Sequence, residues 1–222
     1  MSLICQCPAA AALTDIPAVK CSENFGQIQK VAFQRLFDDD GDKNSFASAG
    51  TTTITDTITL KASWLSFMTA DDSTKIVVSP YINAPADSGG DARMSSGGND
   101  DLGGIPTVLG GNPVQFTGSI RAVSQAVIKI MKELQCEANA GNLGVYLFDE
   151  YGNIEAIQDQ TDPKTFYPIP IRALFIGSKI HGNFDAKDSN AISWYYPDNY
   201  SDDLAIVKPA FNPLTELVLE EE

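Results

Sequence analysis

A single histidine, His181, is all the imidazole this chain possesses. It sits in Lys179-Ile180-His181-Gly182-Asn183, which reads as a solvated turn rather than the base of a triad or a metal ligand. Three other signatures are absent: Gly-x-Ser-x-Gly, the phosphate-cradling Gly-x4-Gly-Lys-Ser/Thr, and the dinucleotide fingerprint. The carboxylate pairs Asp71-Asp72 and Asp202-Asp203 are consecutive, so on a strand they would face opposite ways and could not share acid/base work. No catalytic residue and no cofactor is expected.

Positive charge is also scarce. Fifteen Lys and Arg stand against 29 Asp and Glu, a net charge of −14. That balance excludes the basic footprint of a nucleic-acid-binding surface and the attraction to anionic membranes. It is compatible with a wall past which DNA slides, because like charge repels phosphates. Lys20, Lys30, Arg35, Lys61, Arg93 and Arg172 are scattered without a stripe. No run approaches the roughly 18–20 apolar residues that span a bilayer. The start, MSLICQCPAAAALTDIP, has no charged leader region, and its apolar stretch is broken by Gln6, Cys7 and Pro8. Neither a secretory leader nor a lipoprotein anchor is expected, and synthesis in a cytoplasm is. Cysteines number four, Cys5, Cys7, Cys21 and Cys136. They lack the two short-spaced pairs of a zinc site, so they read as reduced structural thiols.

What is present is β patterning. A length of 222 residues with 43% apolar content allows one domain with a real core. QIQKVAFQRLF (27–37), TTTITDTITL (51–60), KIVVSPYI (75–82) and VQFTG (114–118) read as strands. LGVYLFD (143–149) and IEAIQD (154–159) flank a Gly-Asn turn as a hairpin. IPIRALFIGSK (169–179), NAISWYYP (190–197) and DLAIVKP (203–209) complete a meander. Residues 62–72 suggest a short helix. The main helix is expected after an N-cap at Ser119, with Ile120, Val123, Val127, Ile130 and Leu134 as its apolar stripe and Asn139 and Gly141 as stop signals. The resulting fold class is mainly β (α+β): an antiparallel sandwich or barrel with one flanking amphipathic helix and a long inter-strand loop.

That loop, residues 83–113, carries Gly-Gly pairs at 89–90, 97–98, 103–104 and 110–111. Ordering about twenty-five such residues costs tens of kcal/mol, more than a marginally stable domain supplies. Its second half carries apolar side chains that a pure linker would lack: Leu102, Ile105, Val108 and Leu109, with Met94 before them. These five are the candidate inter-subunit contacts. Residues 1–26 read as an irregular N-terminal arm and 210–222 as an irregular acidic tail. Asp38, Asp39, Asp40 and Asp42 form an acidic turn. As an EF-hand it fails: placing Gly41 sixth puts Leu36 first and Ala47 twelfth. A solvated acidic surface is the reading, and no metal is assigned.

FGQIQKVAFQRLF (25–37), GVYLFDEYGNIEAI (144–157), ALFIGSK (173–179), SWYYPDNYSDDL (193–204) and FNPLTEL (211–217) resemble structural proteins of phages and prophages from Bacteroidales-type bacteria. The order of elements resembles the phage tail tube family. That resemblance implies a virion tail protein that forms hexameric rings stacked into a hollow tube. Its partners would be copies of itself, a tape-measure protein and other tail proteins. DNA would pass only in transit through an electronegative bore, without specific binding, and no membrane would be involved. By the same analogy residues 83–113 would reach between rings and residues 120–137 would form the flanking helix. Two alternatives stand beside it. One is another virion component such as a capsid decoration, tail terminator or baseplate protein. The other is a calcium-dependent carbohydrate-binding or adhesin module built on the acidic turn.

Overall fold

The computed structural model describes residues 24–47, 57–99, 101 and 103–218. In chain order the first elements are β1 (Ile28–Arg35), a 3-10 turn at Thr57–Thr59, α1 (Lys61–Thr69), β2 (Ile76–Val78) and β3 (Ile82–Ser88). A short pair follows, β4 (Ala92–Met94) and β5 (Val108–Gly111), then β6 (Gln115–Arg121) and α2 (Gln125–Ala140). The second half is β7 (Leu143–Asp149), β8 (Ile154–Gln158), β9 (Phe166–Tyr167), β10 (Ile169–Pro170), β11 (Arg172–Ile176), β12 (Ser189–Tyr195), β13 (Leu204–Val207) and α3 (Pro213–Glu216).

All strand pairings are antiparallel among the described residues. A large sheet runs in the order β13-β8-β7-β1-β2, with β9 and β10 pairing to β8 and β7. A small sheet runs β11-β12-β6-β3. The fold is mainly β, as expected.

One core lies between the sheets. Val31 and Phe33 of β1 and Val145 and Leu147 of β7 meet Phe116, Ile120, Ile192 and Trp194 of the small sheet. Phe116 stacks on Trp194 with ring centroids 3.9 Å apart. Helix α2 closes the side of this core with Ile128, Met131 and Ala138. A second core covers the opposite face of the large sheet. There Trp64 and Met68 of α1, Phe46, Ile58, Leu214 and Leu217 pack on Ala32, Tyr146 and Phe148. Trp64 makes ring contacts with Phe46, Tyr146 and Phe148 at 4.5–5.4 Å, and its indole N–H donates to the Ile58 carbonyl at 2.8 Å. Every residue of β7 is therefore buried, the pattern of a central strand covered on both sides.

Several expectations give way. The helix begins five residues later than expected: Ser124, not Ser119, is the N-cap, its side chain accepting the Val127 N–H. Residues 115–121 instead pair with β3 and β12, and tertiary pairing overrides the helical spacing there. The buried stripe is Ile128, Met131 and Ala138, while Val127 and Ile130 are exposed. The stop signal is as read: Gly141 closes α2 at φ +79°. Thr57–Thr59 is a 3-10 turn rather than strand, and residues 51–56 lie outside the described residues. The strand expected over 75–82 is interrupted, because Ser79-Pro80-Tyr81 separates β2 from β3. The C-terminal stretch is not irregular throughout; α3 seats Leu214 and Leu217 in the second core. Residues 1–23 and 219–222, and with them Cys5, Cys7 and Cys21, lie outside the described residues.

Candidate assembly surface

Residues 83–113 are not a structureless loop. β3 stays paired with β6 through Ser88, and β4 and β5 then pair into a two-stranded arm, with Ala92 opposite Gly111, Arg93 opposite Gly110 and Met94 opposite Val108. The glycines expected to confer flexibility hold defined backbone shapes, seven of the eight at positive φ, with Gly110 and Gly111 inside β5. Gly89 shows why: at φ +103°, a Cβ there would meet the Pro113 carbonyl oxygen at 2.4 Å. Near the tip, the Asp101 carboxylate accepts from the Ser95 hydroxyl and, at 2.8 Å, from the Gly97 N–H. The Thr107 N–H in turn donates to the Ser95 Oγ at 2.8 Å. An acid thus replaces a core as the tip's organiser.

The arm's apolar side chains point into solvent. Met94, Ile105, Val108 and Leu109 are all exposed, Ile105 the most at 71%; Leu102 lies outside the described residues. Val108 and Leu109 are adjacent on one strand, so they occupy opposite faces of the ribbon. A two-stranded hairpin alone is marginally stable in water, and apolar groups gathered on an exposed element mark a contact surface.

Beside the arm's root, the outer face of the small sheet carries an arginine in each end row and polar or apolar residues between them. Four cross-strand rows cover it: Arg121-Ser189, then Asn83-Ser119-Ala191, then Ala86-Thr117-Ser193-Phe175, then Ser88-Gln115-Tyr195-Arg172. No carboxylate appears in any row, although the chain holds 29 acidic residues. Both lateral edges, β11 and β3, end the sheet. β3 is blunted by Ala84 at φ +50° and Pro85, and β11 by Ala173 at φ +50°, devices that discourage indiscriminate edge pairing. The Leu174 carbonyl on β11 is already taken by the Gln135 side chain of α2 at 3.3 Å.

The acidic turn is a local structure, not a ligand set. The Asp38 carboxylate accepts the N–H groups of Asp40 and Asp42 at 3.0 and 2.8 Å. Asp39 reaches Arg35 only at 4.0 Å, and Arg35 prefers Glu137 at 2.7 Å. Among the described residues no three His, Cys, Asp or Glu side chains gather as metal ligands. His181 is largely exposed, 3.9 Å from an Asp188 that already pairs with Lys179 at 2.6 Å. Cys136 is exposed and free on α2.

Three acids without a sequence motif matter more. Asp149 is fully buried. Its carboxylate accepts N–H groups from Gly26, Tyr151 and Asn153 and from the Asn153 side chain, at 2.7–3.1 Å. It therefore holds the β7–β8 turn and ties residue 26 to it. Glu155 and Asp87 face each other's sheets at the arm's root. Burial, then the nearby charges of Asp87 and Asp149, push the Glu155 carboxyl up to about 7. The only signal in the sequence is parity: Ile157 shares Glu155's face of the strand, so that face is not simply the polar one.

No family model and no curated protein matches the sequence. Among solved structures, the chain is similar to one from the tail of an empty GTA particle determined by helical refinement with C6 symmetry. Identity there is 12%, over 58% of this chain and 82% of that one, with a TM-score of 0.30. It is also similar to a chain of the sixfold-symmetrised baseplate of the anti-feeding prophage, at 9% identity over 89% and 100%, with a TM-score of 0.31. Likenesses this remote carry no argument; the geometry of the arm and the small sheet must carry the function.

Proposed function

We propose that this chain is a virion structural protein that assembles with copies of itself, and within that class a tail tube subunit. The observation that carries the reading is the β4–β5 arm, which displays apolar residues on both faces and has no core of its own. Seated on a neighbouring copy, it would bury Met94, Ile105, Val108 and Leu109 and gain the stability that an isolated ribbon lacks. Contacts of this head-to-tail kind close into rings when the rotation permits and repeat along an axis when it does not. If copies join side by side through the small sheet, its outer rows become the wall of the bore. Hydroxyl, amide, methyl and aromatic groups would line it, with Arg121 and Arg172 in the end rows, a departure from the electronegative wall that the resemblance implies.

Negative-stain electron microscopy of the purified chain tests this. Rings or tubes are expected, and a monodisperse monomer at high concentration overturns it. Deleting residues 90–111 should abolish stacking of rings while leaving the melting temperature of the subunit nearly unchanged. A capsid decoration protein with the same deletion would still bind its capsid.

A further inference from the structure

The two ends of the small sheet differ in shape and in charge. β6 starts at the arm's root, with Gln115 opposite Ser88 and Tyr195, and finishes at Arg121 opposite Ser189. Its seven residues set these ends about 20 Å apart. Beyond Arg121 the loop between β11 and β12 forms an ordered knob. A bridge between Ile180 and Ser189 closes its neck. The Asp188 carboxylate accepts the Gly182 N–H at 2.8 Å and pairs with Lys179 at 2.6 Å, and the Ala186 N–H donates to the Asn183 carbonyl. Phe184 stands in this loop fully exposed, more so than any other large apolar side chain described, with Ile180 at 62% below it. Beside the knob a cavity of about 500 Å³ is lined by Arg121 and Lys187, with Asp185 the one acid among its lining residues. Neither cation has an ion-pair partner among the described residues. An aromatic ring and free cations gathered on an ordered projection mark a contact surface.

The opposite end is the complement of this one. Between the arm's root and the turn after β12 lies a cavity of about 580 Å³, walled by Gly90, Gly110, Gly111, Val114, Pro197 and Tyr200. The glycines keep the space open, and Tyr200 is held in place by stacking on Tyr196, with ring centroids 4.2 Å apart. The charged residues that line it, Asp198 and Asp202, are both acids. They too have no ion-pair partner among the described residues; Arg93 lies farther along the ribbon, beside Gly110. One end of the sheet therefore offers an aromatic ring with a cationic collar, and the other an aromatic-walled cavity with an anionic rim.

We propose that copies of this chain join end to end, the Phe184 loop of one entering the cavity at the arm's root of the next. The phenyl ring meets Tyr200, an aromatic pair that adds to the apolar area buried. Arg121 and Lys187 meet Asp198 and Asp202, which fixes the orientation of approach and rejects the reverse one, where like charges would face each other. Knob and cavity occupy opposite ends of the same strands, so the contact is head-to-tail and repeats along the strand direction. It leaves the arm's own apolar residues free to reach the side of the copy so joined. The inference rests on the self-assembly reading and names the contact by which one copy follows another.

Sedimentation velocity of the full chain over a concentration series tests it. Phe184→Ala should raise the concentration needed for assembly about thirtyfold, the loss expected of a central aromatic anchor. Arg121→Glu with Lys187→Glu should abolish assembly, and so should Asp198→Lys with Asp202→Lys. All four charge changes together should restore it, because the two ends then exchange signs. The five positions are exposed, so each variant should melt within a few degrees of the native chain. Assembly that survives Phe184→Ala at the native concentration overturns the end-to-end contact alone. So does a fourfold variant that stays monomeric with an unchanged melting temperature. A native chain that is monomeric at high concentration overturns this contact and the self-assembly reading together.

Discussion

The large sheet and the arm are built from the same antiparallel pairing and differ in what covers them. β7 is buried along its whole length between two cores, whereas β4 is exposed at every position and β5 nearly so. Hydrogen bonds between strands contribute little net stability, about 1 kcal/mol each, and coverage decides which ribbon stands alone. The large sheet is self-sufficient. The arm has the register of a strand pair and none of the burial.

The sharpest way to break that contrast is to uncover the sheet. Trp64→Ala should cost about 3–5 kcal/mol, read as a lowered midpoint in urea, because it empties the centre of the second core. Next comes the turn behind β7. Asp149→Ala strands four N–H donors and should cost about 2–3 kcal/mol, with Asp149→Asn costing less. Gly89→Ala should cost about 1–2 kcal/mol, felt at the arm's root alone and visible as faster proteolysis between residues 89 and 112. The smallest effect on the subunit sharpens the contrast most. Val108→Ser with Leu109→Ser should shift folding stability by less than about 0.5 kcal/mol yet abolish assembly seen by sedimentation. Loss of folding instead would mean the arm is part of the core.

The β7–β8 hairpin is legible because its signals are local, whereas the meander expected over 143–209 does not form: β11 and β12 join the small sheet and β13 returns to β8. Gly152 at φ +79° makes the β7–β8 turn whatever the rest does, and Gly141 ends α2 for the same reason. The start of α2 was not legible. Ile120 and Val123 continue the helical spacing backwards, and only the partners of β6, distant in sequence, reveal it as a strand. The second core was missed because α1 and α3 are short and become apolar faces only once the large sheet exists. At the candidate site, Ile105, Val108 and Leu109 stood out by being apolar among glycines. Asp149 acquires its role only when the β7–β8 turn and residue 26 meet at its carboxylate. The glycine pairs specify a shape rather than withhold one, because seven of the eight adopt positive φ.

The outer rows of the small sheet also bear on how the protein responds to salt. A face whose middle rows carry hydroxyls, methyls and aromatic rings, with Arg121 and Arg172 in its end rows, gives dissolved ions little to screen at its centre. Any contact made across it would be nearly indifferent to added sodium chloride and tightened by sulfate, whose exclusion from protein surfaces favours burial. Elsewhere on this strongly anionic molecule the same salts would act through the charges. Buffer composition alone could therefore tell which part of the surface meets a neighbour.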